Sequence, residues 1–518
     1  MPSTTSSSSS SIRFNFITTL RQPSVWVMGL LGFSAGLPIL LIFSSLSIWL
    51  REAGLDKSVV TMFSWAALGY SFKFVWAPLV DRLPLPLLKT WMGQRRSWLL
   101  LSQCLIVVAI NAMAWVNPAE QGNTLIFMAL AAVLLGFSSA SQDIVIDAYR
   151  IEIGNKSEQG MLSASYAAGY RIGMIVAGAG TLYVADYLGT ALGNYHYQAW
   201  RSTYGLMSLF CLVGIITTLC IKEPLASLEQ AKRRNDSTAD YASVFAVFIA
   251  LVISFIATFN SIDYLLELMI PFIDISSPIL SFIFEVARLL FSVLTCLLLA
   301  FLLARIGLIN TNFFWEGYCH PVIAFFDEHG KQSAWLILCF IAFFRSSDIV
   351  LGVISNVFYT DMGFSKTDIG NAVKTFGVLV TILGGFIGGY LCIRLGIMRM
   401  LWYSLLVVML TNLLFILLFF NQNPFMLYSV VAADNLAGGL ATTAFIAFLS
   451  SLVDLRFTAM QYAIFSSLMT LLPKLLGGYS GTIVEQLGYV EFFTFSSLIC
   501  LPVMVLLIFM RRHFDIRE

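Results

Sequence analysis

A chain of 518 residues in which 58% are hydrophobic and 11% charged, with a mean hydropathy of +0.83, has too little polar surface to clothe a water-soluble globule. Lipid must solvate most of it. The 30 lysines and arginines nearly balance the 29 acids, so there is no basic field to attract nucleic acid, and where the charges fall matters more than their sum.

Residues 1–20 open with Met1-Pro2-Ser3 and a serine run; they lack the basic start and cleavage pattern of a signal peptide and read as a disordered cytoplasmic tail. Apolar runs long enough to cross a hydrocarbon core follow at 24–50, 58–80, 97–116, 124–150, 160–185, 202–221, 243–272, 278–305, 333–359, 367–393, 398–420, 424–451, 458–484 and 490–510. These give an all-α polytopic membrane protein with about 14 transmembrane helices, since about 20 helical residues span a bilayer. Residues 511–518 form a second cytoplasmic tail, and the stretch 310–332, with Trp315, His320, Asp327 and His329, reads as an interfacial helix. Seven cysteines (Cys104, Cys211, Cys220, Cys296, Cys339, Cys392 and Cys500) lie inside apolar runs without metal-ligand spacing and read as small core residues.

Lysine and arginine collect in alternate short loops: Arg82, Lys89, Arg95 and Arg96; Arg150 and Lys156; Lys222 and Lys232 to Arg234; Arg305 and Lys331; Arg394 and Arg399; Arg456. Those loops, and both termini, are therefore expected on the cytoplasmic side. The opposite loops hold only a scatter such as Arg51, Lys57, Arg201 and Lys366.

The chain also resembles itself. Gln159-Gly160-Met161 through Gly178 and Leu188-Gly189 aligns without gaps on Thr458-Ala459-Met460 through Gly477 and Leu487-Gly488, and Ile48 to Leu55 resembles Phe358 to Phe364. A parallel repeat of two six-helix bundles follows, one at 21–221 and the other at 333–510. Between them, 222–332 reads as a cytoplasmic linker carrying two inserted helices, 243–272 and 278–305. Two such bundles rocking about a site at the membrane midplane are what a major facilitator fold implies.

Ionisable side chains at membrane depth cost at least about 2.5 kcal/mol each, so each needs a partner, a wet cavity or a task. Asp143 and Asp147, four apart with Gln142 beside them, share a helix face, and their repulsion makes one a candidate proton carrier. Asp147 has a plainer reading, as the partner of Arg150 or Arg96. Arg345 and Asp348, three apart, suit an intrahelical pair, or a pair that substrate or proton breaks. Lys73, Arg171, Lys374 and Lys474 lie on repeat-related spans; converging on a central cavity they would favour an anionic, carboxylate-bearing solute, although snorkelling to an interface also accounts for lysines. Tyr166, Tyr170, Trp65 and Trp76 on the same helices suit stacking on sugar rings, as well as lipid-facing belts. Asp434 is placed outward of the midplane, the pair Glu285 and Arg288 neutralises itself on the insertion, and Asp263 and Glu267 receive no transport role.

There is no glycine-rich P-loop, and His196, His320, His329 and His513 all lie outside the spans, so neither a metal triad nor a nucleophile and base can be assembled in the membrane. No catalytic residue, metal or cofactor is expected.

The segment Trp76-Ala77-Pro78-Leu79-Val80-Asp81-Arg82, ending in Gly93-Gln94-Arg95-Arg96-Ser97-Trp98, is similar to the loop between the second and third helices of major facilitators. That resemblance implies a cytoplasmic gate of paired charges at Asp81, Arg82, Arg95 and Arg96. The proline-bearing form of the loop, Ser141-Gln142-Asp143 through Asp147-Ala148-Tyr149 and Phe344-Arg345-Ser346-Ser347-Asp348 together resemble the AmpG-type muropeptide permeases, over residues 20–510. The family's lysine in the last element stands here as Arg345.

The resemblance implies a proton-coupled importer of N-acetylglucosaminyl-1,6-anhydro-N-acetylmuramyl peptides in a bacterial inner membrane, serving peptidoglycan recycling and acting as a monomer. Asp143, Asp348 and Asp147 would respond to protons, and Gln142, Lys73, Tyr166, Tyr170, Arg171, Arg345, Lys374 and Lys474 would meet the solute. Two other readings stay open: a carrier of acetyl-CoA or another anionic metabolite on the same fold, since the Gln-Asp motif is shared with acetyl-CoA transporters, and a polytopic membrane transferase.

Overall fold

In lipid each backbone N–H and C=O must find its partner within the chain, so apolar runs of this length become helices. The computed structural model describes residues 22–55, 63, 69–85, 88–120, 122–155, 158–191, 193–225, 238–269, 278–307, 315–364, 366–477 and 480–513. In chain order the first half holds α1 (Pro23–Glu52), α2 (Ala77–Arg82), α3 (Gln94–Ala114), α4 (Asn123–Ile153), α5 (Gln159–Ile175) and α6 (Tyr197–Cys220). Next come two long helices, α7 (Thr238–Met269) and α8 (Pro278–Arg305), and the short α9 (His320–His329). The second half holds α10 (Lys331–Phe343), α11 (Ser346–Asp361), α12 (Gly377–Leu395), α13 (Ile397–Phe420), α14 (Pro424–Ser451), α15 (Thr458–Gly477) and α16 (Tyr489–Met510). Among the described residues nine helices are long and apolar enough to span a bilayer.

The two halves share backbone detail. Gly54 (φ 86°) and Gly363 (φ 80°) close their first helices in the left-handed region, and Gly189 (φ 86°) and Gly488 (φ 93°) do the same at their fifth. A side chain is strained there, which is why glycine stands at both members of each pair.

Within the first half, α5 lies directly on α1. A Cβ added to Gly32 would fall 2.2 Å from the Tyr166 carbonyl oxygen, and one on Gly36 would fall 2.1 Å from that of Tyr170. Small residues let backbones touch, which is how helices associate when lipid removes the hydrophobic drive. In the second half α12 and α14 repeat the contact: a Cβ on Gly439 would meet the Thr381 carbonyl oxygen at 2.3 Å.

Helices α7 and α8 pair through Thr295 to Thr258 (3.2 Å) and Cys296 to the Leu251 carbonyl (3.4 Å). Arg288, which spacing had paired with Glu285, stacks on the Phe259 ring at 3.6 Å and donates to the Phe259 carbonyl; the Glu285, Asp263 and Glu267 side chains lie outside the described residues. Phe248 of α7 packs edge-on to Trp76 at 6.3 Å, and Phe255 meets Phe72 at 5.5 Å, so the inserted hairpin sits against the first half. Exposed aromatics mark both ends of the helices, Trp26, Trp91, Trp315 and Trp335 at the arginine-rich end and Trp115, Tyr183, Tyr187 and Phe425 at the other.

Gly32→Val forces a branched side chain into the Tyr166 backbone, and overpacking of this kind costs about 1–3 kcal/mol. A lowered melting temperature of the detergent-solubilised protein, read by tryptophan fluorescence, is the expected result; an unchanged melt would contradict the close approach.

Candidate functional site between the two bundles

Helix α4 carries the densest set of polar groups. Residues 141–151 are all buried, and Ser139, Gln142, Asp143, Asp147 and Arg150 recur every three or four positions, which places them along one side. Ser34 of α1 donates to Gln142 Oε1 at 3.3 Å, while Gln142 Nε2 and Asp143 Oδ1 have no hydrogen-bond partner among the described residues. Lys73 and Asp147 act on Asp143 electrostatically, and the Tyr166 hydroxyl is its hydrogen-bond partner. Tyr70 donates to Ser139 at 2.5 Å and Trp76 to Ser141 at 3.1 Å, closing the near wall. The Tyr166 and Tyr170 rings stand 6.0 Å apart on α5.

Asp147 is held from two sides, with Lys73 Nζ 3.5 Å from one oxygen and Arg150 Nη2 3.2 Å from the other. The Arg150 side chain is itself wholly buried. Its Nη1 donates to Ser163 at 2.7 Å and, across the bundle interface, to Ser450 at 2.8 Å, and its guanidinium lies 5.1 Å from the centre of the Tyr462 ring. Both plain partners of Asp147 were open in the sequence; the structure pairs it with Arg150 and adds Lys73.

From the other half, Arg345 and Asp348 form the expected intrahelical pair at 3.5 Å, about a fifth exposed. Arg171 of α5 reaches both of them electrostatically across the interface, and Asp434 reaches Asp348. Behind Asp348, Asn412 donates to Ser347 (2.7 Å) and Ser496 (3.1 Å), fixing α11 against α13 and α16. The side chains of Lys374, Lys474, Arg82 and Trp65 lie outside the described residues.

At the arginine-rich end the halves are in contact. Arg95 bridges Asp81 at 2.7 Å and Glu152 at 2.6 Å. Asp81 then accepts from the Met460 amide at 3.1 Å, so a carboxylate of one half caps the first turn of α15 in the other, where the helix dipole favours negative charge. Gly389 of α12 touches the Gly160 carbonyl of α5, where an added Cβ would come within 2.8 Å. Arg96 does different work: it donates to the Thr218 and Leu219 carbonyls that end α6, while Glu223 accepts from the Arg95 and Arg96 amides.

Sequence reasoning had named Asp81 and Arg95 but missed Glu152, Glu223, Ser163, Ser450 and Tyr462. The available signal was the crowding of Asp147, Arg150 and Glu152 into two helical turns, more charge than a helix end needs to mark its orientation.

Residues 24–318, more than half of the chain, match the model of the Major Facilitator Superfamily. The chain belongs to that superfamily. This facilitator is 29% identical over 488 residues to the putative transporter AmpG 4 of Rickettsia conorii, covering 94% of this chain and 96% of that protein. It is 29% identical over 504 residues to the anhydromuropeptide permease of Escherichia coli K12, covering 96% of this chain and 82% of that one. These relatives bear out the expected kinship with AmpG-type permeases. In fold it is similar to the proton:xylose symporter XylE bound to 6-bromo-6-deoxy-D-glucose (TM-score 0.58, 11% identity, 95% and 94% covered). It is equally similar to FucP in its outward conformation (TM-score 0.58, 12% identity, 96% and 100% covered).

Asp81→Asn removes the charge that both pairs with Arg95 and caps α15. The contact end should then open more often, and a cysteine placed at the buried Ala459 should react with a maleimide several-fold faster, followed by peptide mass spectrometry. Equal labelling in both backgrounds would show that Asp81 does not hold that end shut.

Proposed function

We propose that this facilitator imports N-acetylglucosaminyl-1,6-anhydro-N-acetylmuramyl peptides together with protons, from periplasm to cytoplasm across a bacterial inner membrane, for peptidoglycan recycling. One observation carries the reading. A chain that aligns over 96% of its length with an anhydromuropeptide permease holds, between its bundles, a buried carboxylate beside a lysine and a tyrosine, one of its oxygens without a hydrogen-bond partner among the described residues.

In this reading the arginine-rich end faces the cytoplasm, by the charge asymmetry of the short loops. The contacts at that end then describe a facilitator shut toward the cytoplasm. Solute would enter from the opposite side, its sugar rings meeting Tyr166 and Tyr170 and its amides Gln142. Its peptide carboxylates would be drawn by Arg171, Arg345, Lys374 and Lys474.

Two carboxylates would then answer to protons. A proton on Asp143 removes its repulsion of Asp147, and Asp147 is left to Lys73 and Arg150. A solute carboxylate that takes Arg345 from Asp348 leaves that acid to accept a second proton. The first event acts on Asp147, which is bonded to Arg150 at the arginine-rich end, so protonation and conformation would share one set of bonds there. The carrier would act as a monomer.

Proteoliposomes with an imposed inward proton gradient should accumulate a labelled anhydromuropeptide, and excess unlabelled acetyl-CoA should not compete. Accumulation that ignores the gradient would refute proton symport. Asp143→Asn should cut gradient-driven uptake at least about tenfold, the range of a lost proton-transfer group, with a melting temperature like that of the native chain. Gradient-driven uptake at the native rate in that variant would remove Asp143 from the coupling role. Turnover to a new product in detergent, with no gradient, would replace transport by a transferase reading.

A further inference from the structure

Beside the carboxylate cluster, a narrow cavity with about 290 Å³ of open space lies where α5 of one half meets α12 and α14 of the other. Arg171 lines it together with Thr381, Thr442 and Thr443, and alanines and glycines make up much of the remaining wall. Arg171 lies 12 residues into α5, roughly 18 Å along its axis at 1.5 Å per residue, near the middle of a bilayer.

Three features point to a ligand. Among the described residues Arg171 forms no ion pair or hydrogen bond. The charged groups nearest to it are Arg345, which repels it, and Asp348, which is already bonded to Arg345; Asp434 lies beyond, in reach of Asp348. A guanidinium at this depth needs a counter-ion. The Thr443 hydroxyl is completely buried and has no hydrogen-bond partner among the described residues. Thr381, in contrast, is already bonded, to the Asn435 side chain at 2.8 Å and to the Gly377 carbonyl.

We propose that Arg171 and the hydroxyls of Thr442 and Thr443 form a carboxylate seat that spans the two bundles. A carboxylate suits these donors, its two oxygens matching the fork of an arginine while a hydroxyl supplies the remaining donor. Because Arg171 belongs to one half and the threonines to the other, an ion seated there ties the halves together at mid-depth. The identity of the carried carboxylate, that of a peptide stem, rests on the import reading above; the presence of an anion seat does not.

Two measurements on the full chain test it. In the first, Thr442→Cys is reacted with an anionic methanethiosulfonate (the ethylsulfonate) and a cationic one (the ethyltrimethylammonium), labelling at that site being read by peptide mass spectrometry. Normalised to each reagent's rate with a free thiol in solution, the anionic reagent should react roughly tenfold faster or more, the bias should vanish in Arg171→Gln, and Arg171→Lys should restore part of it. A normalised ratio unchanged by Arg171→Gln overturns the seat, and so does a normalised preference for the cationic reagent. In the second, uptake of an N-acetylglucosaminyl-1,6-anhydro-N-acetylmuramyl tripeptide is compared with that of its C-terminal amide.

The native chain should prefer the free acid by roughly tenfold, and Thr443→Val and Arg171→Gln should each bring that acid-to-amide ratio down toward one. Equal handling of acid and amide by the native chain overturns the assignment of the solute carboxylate to this seat. A native chain that carries neither compound refutes the import reading, and the labelling ratio then decides the seat by itself.

Discussion

The Arg150 side chain is wholly buried, and the bonds it makes come from both halves of the molecule. Ser163 and Asp147 hold it from its own side; Ser450 and the Tyr462 ring meet it from the other. Taking away one partner of such a group leaves an uncompensated buried charge, which is far more costly than the group's presence is stabilising. The contact at the arginine-rich end therefore depends on partners that each half supplies. Asp81 on the first turn of α15 and Gly160 against Gly389 reinforce the same contact from its flanks.

In the proposed cycle Asp147 would make that contact responsive. It sits between Lys73 and Arg150, four residues from Asp143, so the charge state of the inner carboxylate is felt one helical turn away by the group that orients Arg150. The distance is short enough for direct electrostatics in a poorly screened setting. No relay of many side chains is required.

Much of this was legible in the sequence because lipid leaves so few choices. Apolar run length marked the helices, and Gln142, Asp143, Asp147, Arg345 and Asp348 stood out as charges or amides where none is cheap. What spacing could not supply was partnership across the interface. Arg150 and Ser450 are 300 positions apart, and Asp81 and Met460 are 379 apart; nothing local in either stretch names the other. Glu152 and Arg150 were also disguised, since charges at a helix end normally serve only to mark which way it points. Arg96 shows the converse, a basic residue in a gate-like motif that in fact finishes a neighbouring helix by taking up its last carbonyls.

The meeting of α1 and α5 has a mechanical outcome. Where Gly32 and Gly36 meet the Tyr166 and Tyr170 backbones no side chain stands between the two helices, so there is nothing to compress and they pack as a stiff pair. Whatever tilts α1 carries Tyr166, Tyr170 and Arg171 through the same arc, without slack. The tyrosines and the arginine thus travel as one tool, keeping their mutual spacing while their distance to the opposite half changes.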